Sequence, residues 1–433
     1  MQTTNVNGAV MLVRHGQTDQ NVAGVYQGAS DLAALTEHGK SQVYSIVDYI
    51  GSRDIDRIFC SPLSRARETL EIFRQNSHFN SIPAQITKDL IETSIPEWLG
   101  RDKREIALSE QARLRKWREV PEEFETISGV SPLSMTIERI DSLRQSLSET
   151  GGVRLIVAHD HVNRCLITSL MGLPYSLHSS LPQKNASLTF LKVREENSFY
   201  ELQASNLSHF AFSSLAAESR RPRIILVRHG TTPCNRDKIY QGSRINMALD
   251  EQGRGQVDRL SLSLKRLEIG TVISSSLQRA RETAAGIRTS TKVPYHIDER
   301  LNEFEYGHWT GLSAREVQQN FPGELRDWQS LKVALPIAGA ESLNDFSERV
   351  RDASSFAWKE AKDKGTVLLV AHDVVIRTII SQALGLEIDH SWKFPIANGA
   401  VSEISMAPSG AVSLNFHNVL PGRLGDRHDD DYL

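Results

Sequence analysis

LVRHGQTDQN, residues 12–21, runs from an apolar, β-branched segment into an arginine, a histidine and a glycine. LVRHGTTPCN, residues 226–235, does the same. An apolar run of this kind suits a central parallel strand, buried on both faces. A guanidinium and an imidazole then stand where the strand gives way to a loop. The two histidines, His15 and His229, lie a whole domain length apart, so the first matter to settle is whether the chain repeats itself.

It does, and in constant order. VYQGASDLAALTEHGKSQ (25–42) answers IYQGSRINMALDEQGRGQ (239–256), and DRIFCSPLSRARET (56–69) answers GTVISSSLQRARET (270–283). LIETSIPEWLG (90–100) answers LNEFEYGHWTG (301–311), and VRLIVAHDHVNR (153–164) answers TVLLVAHDVVIR (366–377). This is a tandem duplication of one domain. A length of 433 residues is also too great for one ordinary core. We read a first domain at 1–205, a Ser/Ala-rich linker NLSHFAFSSLAAESRRP at 206–222, a second domain at 223–418, and an acidic tail at 419–433 expected to be disordered.

Each copy alternates short apolar strands with helical patterns. Helices are expected from TEHGKSQVYSIVDYI and DEQGRGQVDRLSLSLKRL, near LSRARETLEIF and LQRARETAAGI, and around 132–149 and 341–363. A paired hairpin is expected at the end of each copy (186–193 with 199–205, and 399–406 with 411–417). The fold class is α/β: two tandem three-layer α/β/α domains with mainly parallel sheets.

Composition narrows the function. Charged residues make up 24% and the net charge is −3, so no global basic field points to nucleic acid. No run of about 18 apolar residues exists to span a membrane, and the N-terminus carries no signal-peptide pattern. Cys60, Cys165 and Cys234 are far apart without CxxC spacing, which argues against a disulfide framework and a zinc site and fits a reducing, cytoplasmic setting. No metal or other cofactor is expected.

In an open parallel sheet, ligands bind beyond the carboxyl ends of the strands. Arg14, His15 and His159 fall there in copy one, and Arg228, His229 and His372 in copy two. Arg65 and Arg279 fall in the first turn of a helix, whose N-terminus favours anions. Arginine forks suit phosphate oxygens. A carboxylate also repeats, as Glu92 and Glu303. Phosphoryl transfer to histidine needs a nucleophilic imidazole, fixed positive charge for the equatorial oxygens and a proton donor for the departing oxygen, and all three are at hand. The spacing agrees between copies. The first histidine and the repeated arginine are 50 residues apart in both (15 to 65, 229 to 279), and the two histidines 144 and 143 (15 to 159, 229 to 372).

With RHG, SPLxRAxxT, LxE…WxG and a late strand ending in histidine, both halves resemble the histidine phosphatase superfamily, also called the phosphoglycerate mutase-like family. The resemblance covers nearly the whole chain outside the linker and tail. It implies that His15 and His229 become phosphorylated, and that Arg14, Arg65 and His159, like Arg228, Arg279 and His372, form the phosphate pocket. Glu92 and Glu303 match the proton donor, and Asn21 and Asn235 the asparagine of the RHGxTxxN loop. The implied activity is a metal-independent phosphomonoesterase acting on a small phosphorylated metabolite, a sugar phosphate or phospho-hydroxy acid. Two alternatives stand beside it: a phosphoglycerate mutase-type isomerase, and a chain in which one domain is active and the other regulatory or structural. The gap from acid to second histidine (92 to 159, 303 to 372) is short, as in the phosphatase branch. Some plant and cyanobacterial members are similar two-copy chains, which favours sugar-type phosphates. The oligomeric state is left open.

Several departures set expectations. Thr-Ser-Ile-Pro follows Glu92 where the family has residues ending in Gly, so that loop is expected to hold Glu92 differently. SSSLQRA lacks the proline of SPLSRA. Asp160 and Asp373 stand where the family commonly has Gly and are read as tolerated variants, the alternative being that they orient the histidine or act as an extra acid. Tyr26–Gln27–Gly28 and Tyr240–Gln241–Gly242 either line the pocket or form a turn. Trp98 and Trp309 are read as packing residues, Cys234 as filler, RLRKWRE (113–119) as a solvated helix face and His161 as incidental.

Overall fold

The computed structural model describes residues 8–51, 53–149, 151–193, 199–208, 221–288, 293–330 and 337–422. The chain divides into two compact units, copy one up to His209 and copy two from Phe210 to Gly422.

In copy one, β1 (Gly8–Arg14) is followed by α1 (Glu37–Ile50), β2 (Arg57–Cys60), α2 (Ser64–Arg74) and β3 (Ala84–Ile86). Two short helices, α3 (Lys103–Ser109) and α4 (Gln111–Glu119), then form a cap, before α5 (Pro132–Glu149), β4 (Gly152–Ala158), α6 (Asp160–Leu170), β5 (Leu188–Val193) and β6 (Tyr200–Leu207). The strands lie in the order β3-β2-β4-β1-β5-β6. The first four are mutually parallel, and β5 and β6 run antiparallel. Copy two repeats this with β7 (Arg223–Arg228), α7 (Glu251–Leu264), β8 (Thr271–Ser274), α8 (Gln278–Ile287), β9 (Tyr295–Ile297), α9 (Ala314–Asn320), α10 (Pro322–Ser330), α11 (Leu343–Lys364), β10 (Thr366–Ala371), α12 (Asp373–Ala383), β11 (Val401–Met406) and β12 (Val412–Val419). Its order is β12-β11-β7-β10-β8-β9.

The expected architecture is therefore present in each copy, with the hairpin as its antiparallel edge. Val10, Leu12 and Val13 are wholly buried, as are Ile224 to Val227, because these strands are covered on both faces. The edge strands β3 and β9 have three residues each, too few to show a period in sequence. β6 extends to Leu207, so the first two residues of the expected linker are strand, and Val419 closes β12. Most of the linker (209–220) and most of the acidic tail (423–433) lie outside the described residues.

The loop after β1 is shaped by its own polar residues. Thr18 caps a single helical turn, its hydroxyl accepting from the Asn21 backbone N–H while the Asn21 side-chain oxygen Oδ1 accepts from the Thr18 N–H. Thr232 and Asn235 repeat the arrangement. The start of the next helix then packs against this loop with no room for a side chain. A Cβ on Gly39 would lie 2.1 Å from the Gln17 carbonyl oxygen, and one on Gly253 2.2 Å from that of Thr231. Gly255, two residues further along α7, has only the far end of Arg259 nearby, at 3.6 Å.

Two alanine substitutions separate these roles. Gly253→Ala should destabilise copy two by about 1–3 kcal/mol, the usual cost of overpacking. Gly255→Ala should stabilise it by roughly 0.5–1 kcal/mol, because glycine in an open helix interior is entropically costly. Thermal unfolding of both variants checks this, and effects of the same sign would contradict the packing described.

Candidate active site

Arg14 ends β1 and His15 follows it, and His159 directly follows β4, the parallel neighbour of β1. Their carboxyl ends adjoin, so the two imidazoles meet with ring centroids 5.2 Å apart. In copy two His229 and His372 lie 5.0 Å apart. Arg65, the second residue of α2, reaches the same place, as does Arg279 from α8. The structure thus brings all twelve expected residues to two pockets, with Arg14, His15, Asn21, Arg65 and Glu92 lining one and Arg228, His229, Asn235, Arg279 and Glu303 the other. His159 and His372 stand against their floors, fully buried.

Hydrogen bonds fix the first histidine of each pair. His15 Nδ1 lies 2.8 Å from the Gly16 carbonyl oxygen and His229 Nδ1 2.7 Å from that of Gly230. A carbonyl only accepts, so Nδ1 carries the proton and Nε2 keeps its lone pair. The loop itself is tied down by Thr69 and Thr283, whose hydroxyls accept from the Gly16 and Gly230 N–H groups.

Arg65 and Arg279 are each only 1% exposed. Among the described residues no carboxylate pairs with either. The Arg65 guanidinium donates to the carbonyls of Ser30 (2.6 Å) and Gly28 (2.8 Å), and that of Arg279 to Ile245 (2.9 Å) and Gly242 (3.0 Å). The Tyr-Gln-Gly stretches are thus both turn and wall: their glycine carbonyls hold the arginine, and Gly28 and Gly242 take the positive φ of 48° and 55° that the turn requires. The first backbone donors of α2 and α8 are taken by Asp31 and Asn246, so these helix starts serve the site through their arginines. Arg14 donates to the Gln183 carbonyl at 2.6 Å and Arg228 to that of Ile396. Arg14 Nε, Arg65 Nε and Arg228 Nε are buried with no protein partner among the described residues, the state expected of donors that await an anion.

Asp160 and Asp373 act on the arginines, not on the histidines. Asp160 grips Arg164 through both oxygens (2.6 and 2.7 Å) and lies 3.8 Å from Arg14, while Asp373 holds Arg377 (2.7 and 2.8 Å) and lies 3.7 Å from Arg228. These arginines hold both carboxyls below the usual range despite burial, which favours their charged, arginine-paired form.

The expectation that the copy-one loop holds Glu92 differently is not met. Glu92 accepts from the N–H groups of Thr93, His161 and Val162, and Glu303 from those of Phe304 and Val374. Each carboxylate rests on the first turn of the helix that follows the second histidine. Burial, then the nearby Asp373, raises the Glu303 pKa, which suits a proton donor.

Some contributors were not read from the sequence. Asn185 and Asn398 donate to the carbonyls of His15 and His229 (both 3.1 Å) and to Asn21 and Asn235. Asn206 and Asn418, both at positive φ, accept from the backbone N–H groups of Lys184 and Ala397 and so hold those loops. Ser61 and Ser275 bond His159 Nε2 (2.7 Å) and His372 Nε2 (2.8 Å). His161, read as incidental, lines pocket one and stacks near Trp117 and His178. Its counterpart is Val374, a contrast visible on aligning the copies. Trp98 and Trp309 are packed as expected, whereas Trp117 of the supposed solvated face is buried. Cys234 is a buried filler against Met247. Pocket one is tight, about 70 Å³, and pocket two about 240 Å³.

A parallel-sheet fold with paired imidazoles, buried guanidiniums and a carboxyl at the strand ends defines a phosphoryl-transfer class of protein. The chain belongs to the histidine phosphatase superfamily (branch 1), which matches residues 10–206 and 224–419. It is 25% identical over 439 residues to a 2-carboxy-D-arabinitol-1-phosphatase of Triticum aestivum, covering 93% of this chain and 83% of that one. It is also 29% identical to phosphoserine phosphatase 1 of Hydrogenobacter thermophilus, over 45% of this chain and 92% of the relative, and 29% identical to the adenosylcobalamin/alpha-ribazole phosphatase of Escherichia coli, over 42% and 90%.

Burial, reinforced by the arginines, lowers the pKa of His15, His159, His229 and His372 well below 6.5. These groups are neutral in the fold and take up protons on unfolding. Their contribution to stability is thus complete above about pH 6.5 and is lost as the pH falls from there toward their folded values. The midpoint of thermal unfolding should drop between pH 7.5 and 5, and millimolar inorganic phosphate should lessen the drop. A midpoint flat across this range would contradict the buried neutral state.

Proposed function

We propose that the chain is a phosphomonoesterase with an active site in each copy, working through a phosphohistidine and needing no metal. The observation that carries this is the Nδ1–H bond of His15 and His229 to the next residue's carbonyl. It leaves Nε2 as a lone pair at the centre of the buried guanidiniums.

The Nε2 lone pair attacks phosphorus in line and the P–O ester bond breaks. The leaving oxygen takes the proton of Glu92 or Glu303 and departs as an alcohol. The carboxylate so formed takes a proton from water, whose oxygen attacks the phosphohistidine; the P–N bond breaks, the electron pair returns to Nε2 and inorganic phosphate is released. Arg14 with Arg65, and Arg228 with Arg279, carry the charge of the equatorial oxygens, helped by His159 and His372. Asn21 and Asn235 use their side-chain oxygens within the loop, which leaves their amide N–H groups for phosphate.

Small phosphorylated metabolites are the substrate class, sugar phosphates or phospho-hydroxy acids. The names of the relatives support this: each is called a phosphatase of a small phosphorylated compound. We place the protein in the cytoplasm, on the strength of three buried cysteines, all free. The same reading includes no nucleic-acid partner and no membrane association; no helix among the described residues is long and apolar enough to cross a membrane.

Phosphate release from a panel of small phosphomonoesters, in EDTA, tests the reading. His15→Ala and His229→Ala should each retain the part of the panel served by the other site, and the double variant none. Arg279→Ala in the His15→Ala chain should cost about 10²–10³ in rate, the usual loss for one oxyanion donor. Full turnover by the double variant, strong inhibition by EDTA, or isomerisation without phosphate release would each overturn it.

A further inference from the structure

The second histidines of the two copies face matching charges. His372 is faced by Arg279 from α8, by His229 and Arg228 at the end of β7, and by Arg349 from α11. His159 is faced by Arg65, His15, Arg14 and Arg139 from the corresponding elements. The adjacent Asp160 and Asp373 are both bound to arginines. What differs is the chain of hydrogen bonds behind the imidazole.

In copy two, the Asn302 side-chain oxygen accepts from the Ser276 backbone N–H at 3.1 Å. A backbone N–H only donates, so this atom is the amide oxygen and not the nitrogen. Ser275 Oγ lies 2.7 Å from the same oxygen and must donate its proton there. Having done so, it accepts from His372 Nε2, at 2.8 Å. His372 therefore carries its proton on Nε2 and presents a bare Nδ1 to the site, and the single Arg279 Nε hydrogen is shared between that Nδ1 and His229 Nε2, 3.2 Å from each.

In copy one, Ile91 stands in the place of Asn302 and Pro62 in that of Ser276. The Ser61 hydroxyl has one acceptor among the described residues, His159 Nε2 at 2.7 Å. A buried hydroxyl proton left unpaired costs about 1–3 kcal/mol, so Ser61 donates to Nε2 and the imidazole proton sits on Nδ1. His159 Nδ1 and Arg65 Nε are accordingly both buried without a partner, as two donors would be, in contrast to the Arg279–His372 bond of copy two.

We propose that Asn302 is a positioning residue which, through Ser275, sets the tautomer of His372 opposite to that of His159, so that site two must take up one proton more than site one to bind a phosphoryl dianion. This rests on the phosphatase reading above. Site one offers an Nδ1–H donor while neutral. Site two offers a lone pair until Nδ1 is protonated, either from solvent or by the monoanionic form of the ester.

The test compares kcat/KM for p-nitrophenyl phosphate in the His229→Ala chain (site one) and the His15→Ala chain (site two) from pH 6.5 to 9. The titration of the substrate cancels in the ratio. The ratio of site two to site one should fall with rising pH, approaching tenfold per unit. Asn302→Leu in the site-two chain frees the Ser275 proton for Nε2 and should flatten the ratio, whereas Asn302→Asp keeps the acceptor and should preserve the fall. A flat ratio between the parent chains, or an Asn302→Leu loss equal at every pH, overturns the proposal. ¹⁵N imidazole shifts of the full-length protein, assigned with His159→Gln and His372→Gln, read the two tautomers without turnover; identical tautomers overturn it too. Opposite tautomers in a protein that releases no phosphate would instead uphold this inference and reject the phosphatase reading.

Discussion

Each site is organised around a guanidinium buried without a carboxylate. Among the described residues Arg65 is held by main-chain carbonyls, and Arg279 by main-chain carbonyls and the two imidazoles, with no carboxylate on either. A buried charge with only dipoles about it is costly unless a counter-charge arrives. The surrounding structure makes the position unavoidable. The Tyr-Gln-Gly turn has a glycine at positive φ so that its carbonyl points inward, and its glutamine is tied to the threonine that caps the RHG loop. Arginine, turn, loop and histidine thus form one cooperative unit. A dianion that satisfies the arginines also stands in line with the Nε2 lone pair.

The two copies reach that unit by different local means. In copy one Pro62 pre-sets the backbone at the start of α2. Copy two lacks the proline, and Asn302 bonds Ser276 through both its backbone N–H and its hydroxyl, which holds the start of α8 instead. A second exchange occurs at the pocket mouth. Lys103 lines pocket one from the start of α3, where copy two has Ala314; Lys238 lines pocket two from the loop after β7, where copy one has Gly24. Each pocket keeps one lysine, on one or the other of two backbone segments that hydrogen-bond each other: the Lys103 N–H donates to the Gly24 carbonyl, and the Ala314 N–H to that of Lys238. The phosphate floor is common to both, and the part that meets the rest of a substrate is not.

The fold and the charged residues of the site were legible because duplication acts as an internal control. Segments free to drift have drifted, and Arg65 and Arg279 keep the same distance from their histidines. The polar residues that place these groups were less legible. Asn185 and Asn398 lie far along the chain from the histidines they bond, in segments without a motif, and only the fold of β5 against β1 brings them together. Ser61 and Ser275 sat inside an aligned motif, yet nothing in their spacing says that a hydroxyl meets the second imidazole. β3 and β9 are too short to carry a period. Glu92 shows the converse: its altered loop suggested a displaced side chain, but two N–H groups of α6 anchor the carboxylate, and the loop's own Thr93 N–H adds a third.

Burial also sets the charge state in which the site waits. The four imidazoles are pushed to the neutral form by desolvation and by the arginines, and Glu303 is pushed toward its neutral acid by desolvation and by Asp373. Both shifts follow from one cause, because low dielectric disfavours whichever form is charged. Guanidinium resists it, its intrinsic pKa being too high for burial to discharge. Arg279 is lowered only to about 10 and stays cationic at neutral pH. The same desolvation that makes histidine a nucleophile and glutamate an acid therefore leaves arginine as the fixed charge. A chain with net charge −3 presents, at two points, cationic pockets whose field is little screened by water. A phosphoryl dianion is the ligand whose charge, oxygen geometry and reactivity match all three groups at once.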